Sequence, residues 1–217
     1  MRLKILYDNE AKPGFESGWG FSCLIELEDE KILFDTGWDG NALLLNMGKF
    51  GVRPEDIGRI VISHAHWDHI GGLSHVWRQG MHIYVPHSIS RHLRDELASR
   101  SHLHEVEGPQ EICSGVWTTG ELKNEIEEQS LVLKTSKGLV VVVGCSHPGV
   151  RKIFSVASKF GKISGVVGGM HDFEDYEVLE GLDLIVATHC TVNKKKIAEL
   201  FPKAYVEGKA GLEIILE

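Results

Sequence analysis

Histidine and aspartate side chains are concentrated in one short stretch of the sequence. The chain contains His64-Ala65-His66-Trp67-Asp68-His69, so three imidazoles and one carboxylate lie within six residues. Imidazole and carboxylate groups together are typical ligands of zinc and similar divalent ions. The stretch follows Arg59 to Ser63, an apolar run that predicts a short buried strand. The sequence therefore predicts a metal-binding loop at the end of this strand.

The spacing within this loop suits two neighbouring metal sites. His64 and His66 are two residues apart, so in extended backbone their side chains point the same way. Asp68 and His69 follow after the chain turns, and they can therefore face a second point a few ångströms away. The pair Gly71-Gly72 permits a tight turn into the next helix. We expect one short loop to serve both sites.

Three further histidines follow apolar runs in the second half of the chain. His147 comes after Leu139 to Val143, His171 after Ile163 to Val167, and His189 after Leu182 to Ala187. Binding groups gather on loops at strand ends, because the strands hold them rigidly. These three histidines are therefore candidates for the same site. The simpler interpretation of each is a histidine that hydrogen-bonds a neighbouring loop.

The remaining six of the 12 histidines give a weaker signal. They are expected at the surface, in contact with solvent, with His102 and His104 two residues apart but carried by no strong strand signal. The other four lie in or beside predicted surface elements: His75, His82, His87 and His92.

The pattern along the chain favours a single domain over residues 1–217. Antiparallel hairpins and strand–helix alternation occur in both halves, which predicts an α/β fold of two mixed sheets packed face to face with helices outside. The 42% hydrophobic and 25% charged residues are typical of a globular protein. The net charge of -8 argues against a nucleic-acid-binding surface.

The cysteines and the N-terminal residues indicate a cytoplasmic protein. The four cysteines are widely spaced and form no C-x-x-C pair, so we expect them to be reduced. No signal peptide and no apolar run long enough for a membrane span is expected.

The motif Ser63-His64-Ala65-His66-Trp67-Asp68-His69-Ile70-Gly71-Gly72-Leu73, with Phe34-Asp35-Thr36-Gly37 upstream, resembles the metallo-β-lactamase superfamily. That resemblance implies a four-layered αβ/βα sandwich with metals at one edge. Further motifs are similar to proteins related to dihydropterin ribofuranosylaminobenzene phosphate synthase: Tyr7-Asp8-Asn9, Trp19-Gly20-Phe21-Ser22, Glu128-Gln129-Ser130-Leu131, Gly144-Cys145-Ser146-His147-Pro148-Gly149 and Thr188-His189-Cys190-Thr191. We take this as a subgroup resemblance rather than as a prediction of that reaction.

The resemblance also implies a ligand set. His64 and His66 would bind one metal, Asp68 and His69 the other, with His147 completing the first site and His189 the second. The bridging aspartate usual in the superfamily is replaced here by Cys145, which would bridge as a thiolate unless His147 takes over that function. Asp35 would orient a ligating histidine through a hydrogen bond, or simply cap a turn.

Two divalent ions would make the protein a metal-dependent hydrolase. A divalent ion lowers the pKa of bound water from 15.7 to about 7, which supplies hydroxide for attack on an ester. Zinc is the expected metal, with manganese and iron as alternatives. Asp68 would orient the nucleophile, and His171 would stabilise an oxyanion or protonate the leaving group.

The expected substrate is a small phosphodiester, lactone or related ester. Lys209 would meet a phosphate if the substrate carries one, and Trp19 would cover a ring; a solvated lysine and plain packing are the simpler interpretations. The alternative functions are a transferase that joins a pterin to a phosphoribosylated aromatic, a redox di-iron protein, and a metal-binding module without turnover. His66 counts against the di-iron protein, because di-iron relatives usually carry a carboxylate there.

Overall fold

The computed structural model describes all 217 residues, which form two compact units. The first unit comprises residues 1–106 and 209–216, and the second comprises residues 107–208 and 217. Each unit contains one seven-stranded sheet and its own helices. The prediction of an α/β fold with two mixed sheets is confirmed in this respect.

The first unit is built on a sheet with strand order β14-β1-β2-β3-β4-β5-β6. Its strands are β1 (Arg2–Tyr7), β2 (Ser22–Glu26), β3 (Lys31–Phe34), β4 (Arg59–Val61), β5 (His82–Pro86), β6 (His102–Val106) and β14 (Glu213–Ile215). Its helices are α1 (Gly40–Lys49), α2 (Trp67–Ile70), α3 (Leu73–Val76) and α4 (Arg91–Ala98). The pairings from β14 to β3 are antiparallel, and those from β3 to β6 are parallel.

The second unit repeats this arrangement in a sheet with strand order β13-β12-β11-β10-β9-β8-β7. Its strands are β7 (Gln110–Cys113), β8 (Val116–Thr118), β9 (Leu131–Thr135), β10 (Gly138–Val143), β11 (Ile163–Gly169), β12 (Leu184–Thr188) and β13 (Tyr205–Glu207). Its helices are α5 (Val150–Ala157) and α6 (Lys194–Leu200). The pairings from β7 to β10 are antiparallel, and those from β10 to β13 are parallel.

Local sequence explains the elements that lead to the histidine loops. Helix α1 begins after Asp39, whose carboxylate accepts a hydrogen bond from the Asn41 N–H, and it ends before Gly51, which has φ +68°. Strand β10 is an unbroken run of buried valines after Leu139, as expected for a strand covered on both faces. Each unit has its own hydrophobic core, and the buried strands of each sheet contribute to it.

Three strands were not expected from the sequence, and one of them corrects an interpretation. The prediction that no strand carries His102 and His104 is wrong, because both lie in β6, the edge strand of the first sheet. His82 on β5 is half-buried, and its Nδ1 lies 2.9 Å from Nε2 of His104. These two histidines therefore pair with each other instead of lying free at the surface.

Strands β7 and β8 form a short hairpin beside β9.

None of the six α-helices has both the length and the hydropathy required to cross a membrane. The four cysteines form no disulfide.

Candidate metal centre

The histidine loop of the first unit begins directly after β4 and runs into α2. Strand β4 ends at Val61, and the extended backbone of His66 precedes the first turn of α2. His64 and His69 are buried, Asp68 is half-buried and His66 is exposed. The rings of His66 and His69 both pack on His64, with centroid distances of 4.6 and 4.1 Å. The structure therefore brings together the three imidazoles that the sequence selected.

Asp35 holds this loop in place from the end of the neighbouring strand β3. Its fully buried carboxylate accepts hydrogen bonds from the backbone N–H and the hydroxyl of Ser63, each at 2.7 Å. Its Oδ2 also lies 2.7 Å from Nδ1 of His69. A carboxylate on Nδ1 fixes the tautomer and leaves Nε2 as the atom that can bind a metal. The position of Asp35 agrees with the predicted orienting role rather than with a simple turn cap.

Ser63 extends the same arrangement to the next histidine. Its hydroxyl lies 2.9 Å from Nδ1 of His64, so this nitrogen too is occupied by a hydrogen bond. Nε2 of His64 then lies 3.1 Å from Nδ1 of His66. The two nitrogens that face each other are thus placed to bind one ion. The Oδ2 of Asp68 lies 3.9 Å from Nε2 of His69, which gives a second pair of donors.

The loop that follows β10 in the second unit is organised by a buried carboxylate that sequence reasoning gave no role. Oε1 of Glu128 accepts hydrogen bonds from the backbone N–H groups of Gly144, Cys145 and Ser146, each at 3.0 Å. Its Oε2 accepts another from the N–H of His147, also at 3.0 Å. Glu128 therefore fixes the backbone that carries Cys145 and His147. Glu128 ends an acidic stretch, with Glu125 and Glu127 just before it, so its charge alone did not distinguish it from its neighbours in the sequence.

Two groups of potential metal ligands lie within the second unit. The ligand atoms of Cys145, His147 and His171 lie within 4.8 Å of one another, and so do those of Cys145, His189 and Cys190. The rings of His147 and His171 are 4.6 Å apart. Sequence reasoning selected four of these five residues and missed Cys190, whose position next to His189 was the only signal.

The two thiols and His171 are electrostatically linked. A hydrogen bond from Cys145 and another from His171 lower the pKa of Cys190, against the opposing effect of burial. The same thiolate raises the pKa of His171. The Nε2 atom of His171 is buried without a hydrogen-bond partner. A thiolate and an unsatisfied imidazole nitrogen are both suited to a metal ion.

Backbone strain is concentrated at these loops. The non-glycine residues with positive φ are Asp35 (56°), Ser146 (62°), His171 (46°) and His189 (45°), and each follows a strand of one of the two sheets. Left-handed backbone is uncommon outside glycine and costs about 1–3 kcal/mol per residue. Strain of this kind accumulates where a side chain must be aimed at a functional position. No pattern in the sequence predicted this backbone strain.

A cleft of about 360 Å³ in the second unit opens beside these residues. His147 and His171 line it, with Asn124, Met170 and the exposed carboxylate of Asp172. The cleft can therefore admit a small ligand to two candidate ligand residues.

The two predicted substrate-binding residues lie in the first unit. Trp19 has 59% of its surface exposed, and Lys209 is half-buried beside the bridge between Ala11 and Ala210. Neither lines the cleft of the second unit. Phe15, from the same early loop as Trp19, packs against Phe50 with ring centroids 5.0 Å apart.

Comparison with known proteins agrees with these features. A sequence model of the metallo-beta-lactamase superfamily matches residues 20–155. An uncharacterised protein of Methanocaldococcus jannaschii, MJ0448, is 28% identical over 204 residues, which covers 78% of each chain. The same organism's 7,8-dihydropterin-6-methyl-4-(beta-D-ribofuranosyl)-aminobenzene-5'-phosphate synthase is 26% identical, with 82% of each chain covered.

The solved structures give the same result. Tm1679, described as a metal-dependent hydrolase of the beta-lactamase superfamily, matches with a TM-score of 0.81 and 25% identity, and the match covers 100% of this chain and 99% of that one. With its histidine loop, its two mixed sheets and a family match over residues 20–155, the chain belongs to the metallo-β-lactamase superfamily.

Proposed function

We propose that the protein is a binuclear metal-dependent hydrolase of a small ester-type substrate. The observation that carries this proposal is the loop after β4, where hydrogen bonds to Asp35 and Ser63 occupy Nδ1 of His69 and His64. Histidines held in this way are typical of metal ligands rather than of solvated surface histidines. The superfamily of the chain and the match to a metal-dependent hydrolase give independent support.

The residues present fit a divalent ion in chemical type and in spacing. The facing nitrogens of His64 and His66 are 3.1 Å apart, near the separation of about 3.4 Å expected for two nitrogen ligands on one tetrahedral zinc ion. His64 and His66 would contribute to one ion and Asp68 and His69 to the other; that His147, His189 and Cys145 complete the ligand set is what the superfamily resemblance implies. Zinc suits this mixed nitrogen, oxygen and sulfur donor set, with manganese or iron as alternatives.

Bound ions would lower the pKa of a coordinated water molecule and polarise an ester of the substrate. The residues of the chain then have separate tasks. Asp68 would accept a hydrogen bond from the attacking water and orient it. His171, whose pKa is raised by the neighbouring Cys190 thiolate, would donate a proton from its ring to the leaving oxygen.

The expected partner follows from the net charge of the chain, and the expected compartment follows from its cysteines. A net charge of -8 disfavours a nucleic-acid surface, and a small ester, phosphorylated or not, is the expected partner, with Lys209 and Trp19 as candidate contacts. Four cysteines that form no disulfide favour a reducing compartment such as the cytoplasm.

Metal content tests the proposal directly. Elemental analysis of protein purified without chelator is expected to find about two transition-metal ions per chain. His64→Ala combined with His66→Ala should remove at least one, whereas the exposed pair His75→Ala and His92→Ala should remove none. Protein that holds no transition metal would overturn the proposal, and so would an equal loss in both double variants.

A second candidate function is a transferase that joins a pterin to a phosphoribosylated aromatic. The match to the dihydropterin synthase of Methanocaldococcus jannaschii over 82% of each chain is the observation that favours it. The two functions separate in one assay. A transferase should release pyrophosphate from a pterin pyrophosphate only when the phosphoribosylated aromatic is present to accept the pterin, whereas a hydrolase should cleave bis(p-nitrophenyl) phosphate or a lactone without that release. The third possibility, a metal-binding module, predicts metal without either activity.

A further inference from the structure

A second cavity, of about 520 Å³, lies in the first unit and shares a loop with the metal ligands. Helices α2 and α3 form one wall and α4 forms the other. Ala65 and Trp67, which line the cavity, flank His66 in the sequence. The same backbone segment therefore presents imidazoles and a cavity wall. Its volume lies within the range of small-molecule sites, about 300–1,000 Å³.

The lining of this cavity is apolar and carries no formal charge. The aliphatic part comes from α2, α3 and α4 and includes Ile70, Leu73 and Leu93. The polar groups are the side chains of Ser74, Ser90 and His92 and the indole N–H groups of the two tryptophans, and no carboxylate, ammonium or guanidinium group is among the lining residues. A charged occupant would lose its hydration without gaining a partner, which is costly. The cavity is therefore suited to a neutral, apolar group.

Two tryptophans indicate the shape of that group. Trp67 has 69% of its surface exposed, although it is the first residue of α2 and stands at the cavity wall. Trp77 is half-buried, and the guanidinium of Arg100 lies over its ring at 4.4 Å, so one face of that ring is already covered. An exposed indole at a cavity wall offers a flat surface on which another ring can stack.

We propose that this cavity, bounded by α2, α3 and α4, binds a neutral aromatic ring group of the substrate. The inference rests on the proposed function, because the ring would belong to the ester that is hydrolysed at the candidate ligands of the same loop. It adds a substrate class, since aryl or ring-bearing esters would be preferred over esters with charged substituents. It also gives the stacking role to Trp67 rather than to Trp19.

A neutral naphthalene ketone, prodan, is a direct probe because its emission shifts to the blue in apolar surroundings. Titration of the purified protein with prodan should give a saturable blue shift with one site per chain. Trp67→Ala should weaken that binding about fivefold or more, because the stacking surface is lost. Trp38→Ala is the matched control, since Trp38 is 57% exposed in the same unit and does not line the cavity.

A second variant fills the cavity instead of removing a contact. Ser74 is exposed at the wall, so Ser74→Phe should fold normally and compete with the probe for space. Binding that is the same in wild type, Trp67→Ala and Ser74→Phe would overturn the inference, as would the absence of saturable binding. The probe is measured with and without bound metal, and the metal content of each variant is determined. Prodan binding to protein that holds no metal when purified without chelator would contradict the proposed function alone, whereas full metal content without prodan binding would contradict this inference alone.

Discussion

At the scale of single residues, Asp35 is the side chain on which the histidine loop depends most. It is fully buried, has a strained φ of 56°, and is surrounded by three donors, two of them on Ser63 and one on His69. A buried carboxylate without these donors would be unfavourable by several kcal/mol. The strain and the burial are therefore tolerated only because the loop supplies all three hydrogen bonds.

We predict that Asp35→Asn weakens metal binding by about 10- to 100-fold, the range typical for loss of such a supporting carboxylate. The amide can accept fewer hydrogen bonds and is a weaker acceptor from His69, so the ring orientation is less fixed. Competition with a chromophoric chelator measures the affinity, and circular dichroism checks the fold. The control is Asp39→Asn, an exposed helix cap that should leave affinity unchanged. Equal affinities in wild type and Asp35→Asn would contradict the prediction.

Residue types and spacing selected the candidate ligands of the first loop, and the structure brings the three imidazoles together and places Asp35 against His69. Sequence reasoning gave no role to Glu128 or to Cys190. Glu128 acts through the backbone of a distant loop, and Cys190 acts through side chains that follow other strands. A glutamate that binds four N–H groups 16 to 19 residues away leaves no local pattern in the sequence. Contacts of this kind exist only after the strands are paired.

At the scale of elements, β6 shows why short edge strands are difficult to predict. Its sequence, His102 to Val106, contains two apolar residues, and its burial pattern is mostly half-exposed. Periodicity alone is too weak in such a segment. Its place in the sheet is instead fixed by parallel pairing with β5, which puts His82 opposite His102 and Tyr84 opposite His104. The resulting ring stack of Tyr84 on His104, at 4.3 Å, is a contact between elements.

The histidine pair across β5 and β6 should make stability depend on pH. Burial lowers the pKa of both His82 and His104, and the Arg59 guanidinium lowers it further. His102 and Glu30 also act on His82, with opposite signs. In the unfolded chain both imidazoles titrate near 6.5, so below that pH the unfolded state binds more protons than the folded state. Stability contributed by the neutral pair is therefore present above pH 6.5 and is lost as pH falls towards the folded pKa.

Urea unfolding at about pH 8 and about pH 5.5 measures this dependence. The double variant His82→Gln and His104→Gln should show a smaller loss of unfolding free energy between the two pH values than the wild type. The exposed double variant His75→Gln and His92→Gln should keep the full loss. A loss in the His82 and His104 variant as large as in the wild type would show that this pair is not responsible.

At the scale of the whole molecule, the chain uses one strand arrangement twice. In each unit three antiparallel pairings are followed by three parallel ones. Ligands of α/β proteins bind at the carboxyl ends of parallel strands. The candidate ligands follow this rule, because they come after β4, β10, β11 and β12. Sequence alternation predicted the two mixed sheets and ligands at strand ends, but not the same order of pairings in both units, since β6 to β8 were not identified.

At this scale, the amino-acid composition mainly excluded classes of protein. A charge of -8 and ordinary apolar content fit many globular proteins, and they do not distinguish a hydrolase from a binding module. The resemblance to the family came from two motifs, and the match of the superfamily's sequence model to residues 20–155 shows that the chain belongs to it. The prediction of a single domain over residues 1–217 stays a prediction, because each unit has its own sheet and core.

The four hydrogen bonds of Glu128 have a consequence for amide hydrogen exchange. The N–H groups of residues 144–147 belong to a loop, yet each bonds to a buried carboxylate. They can exchange with deuterated water only when the loop detaches from Glu128, so they should exchange as slowly as the amides of β10. Glu128→Gln should speed exchange of these four amides while the exposed Glu125→Gln should not. Slow exchange of these amides would show that the loop opens as rarely as a strand does, and the measurement resolves each amide separately.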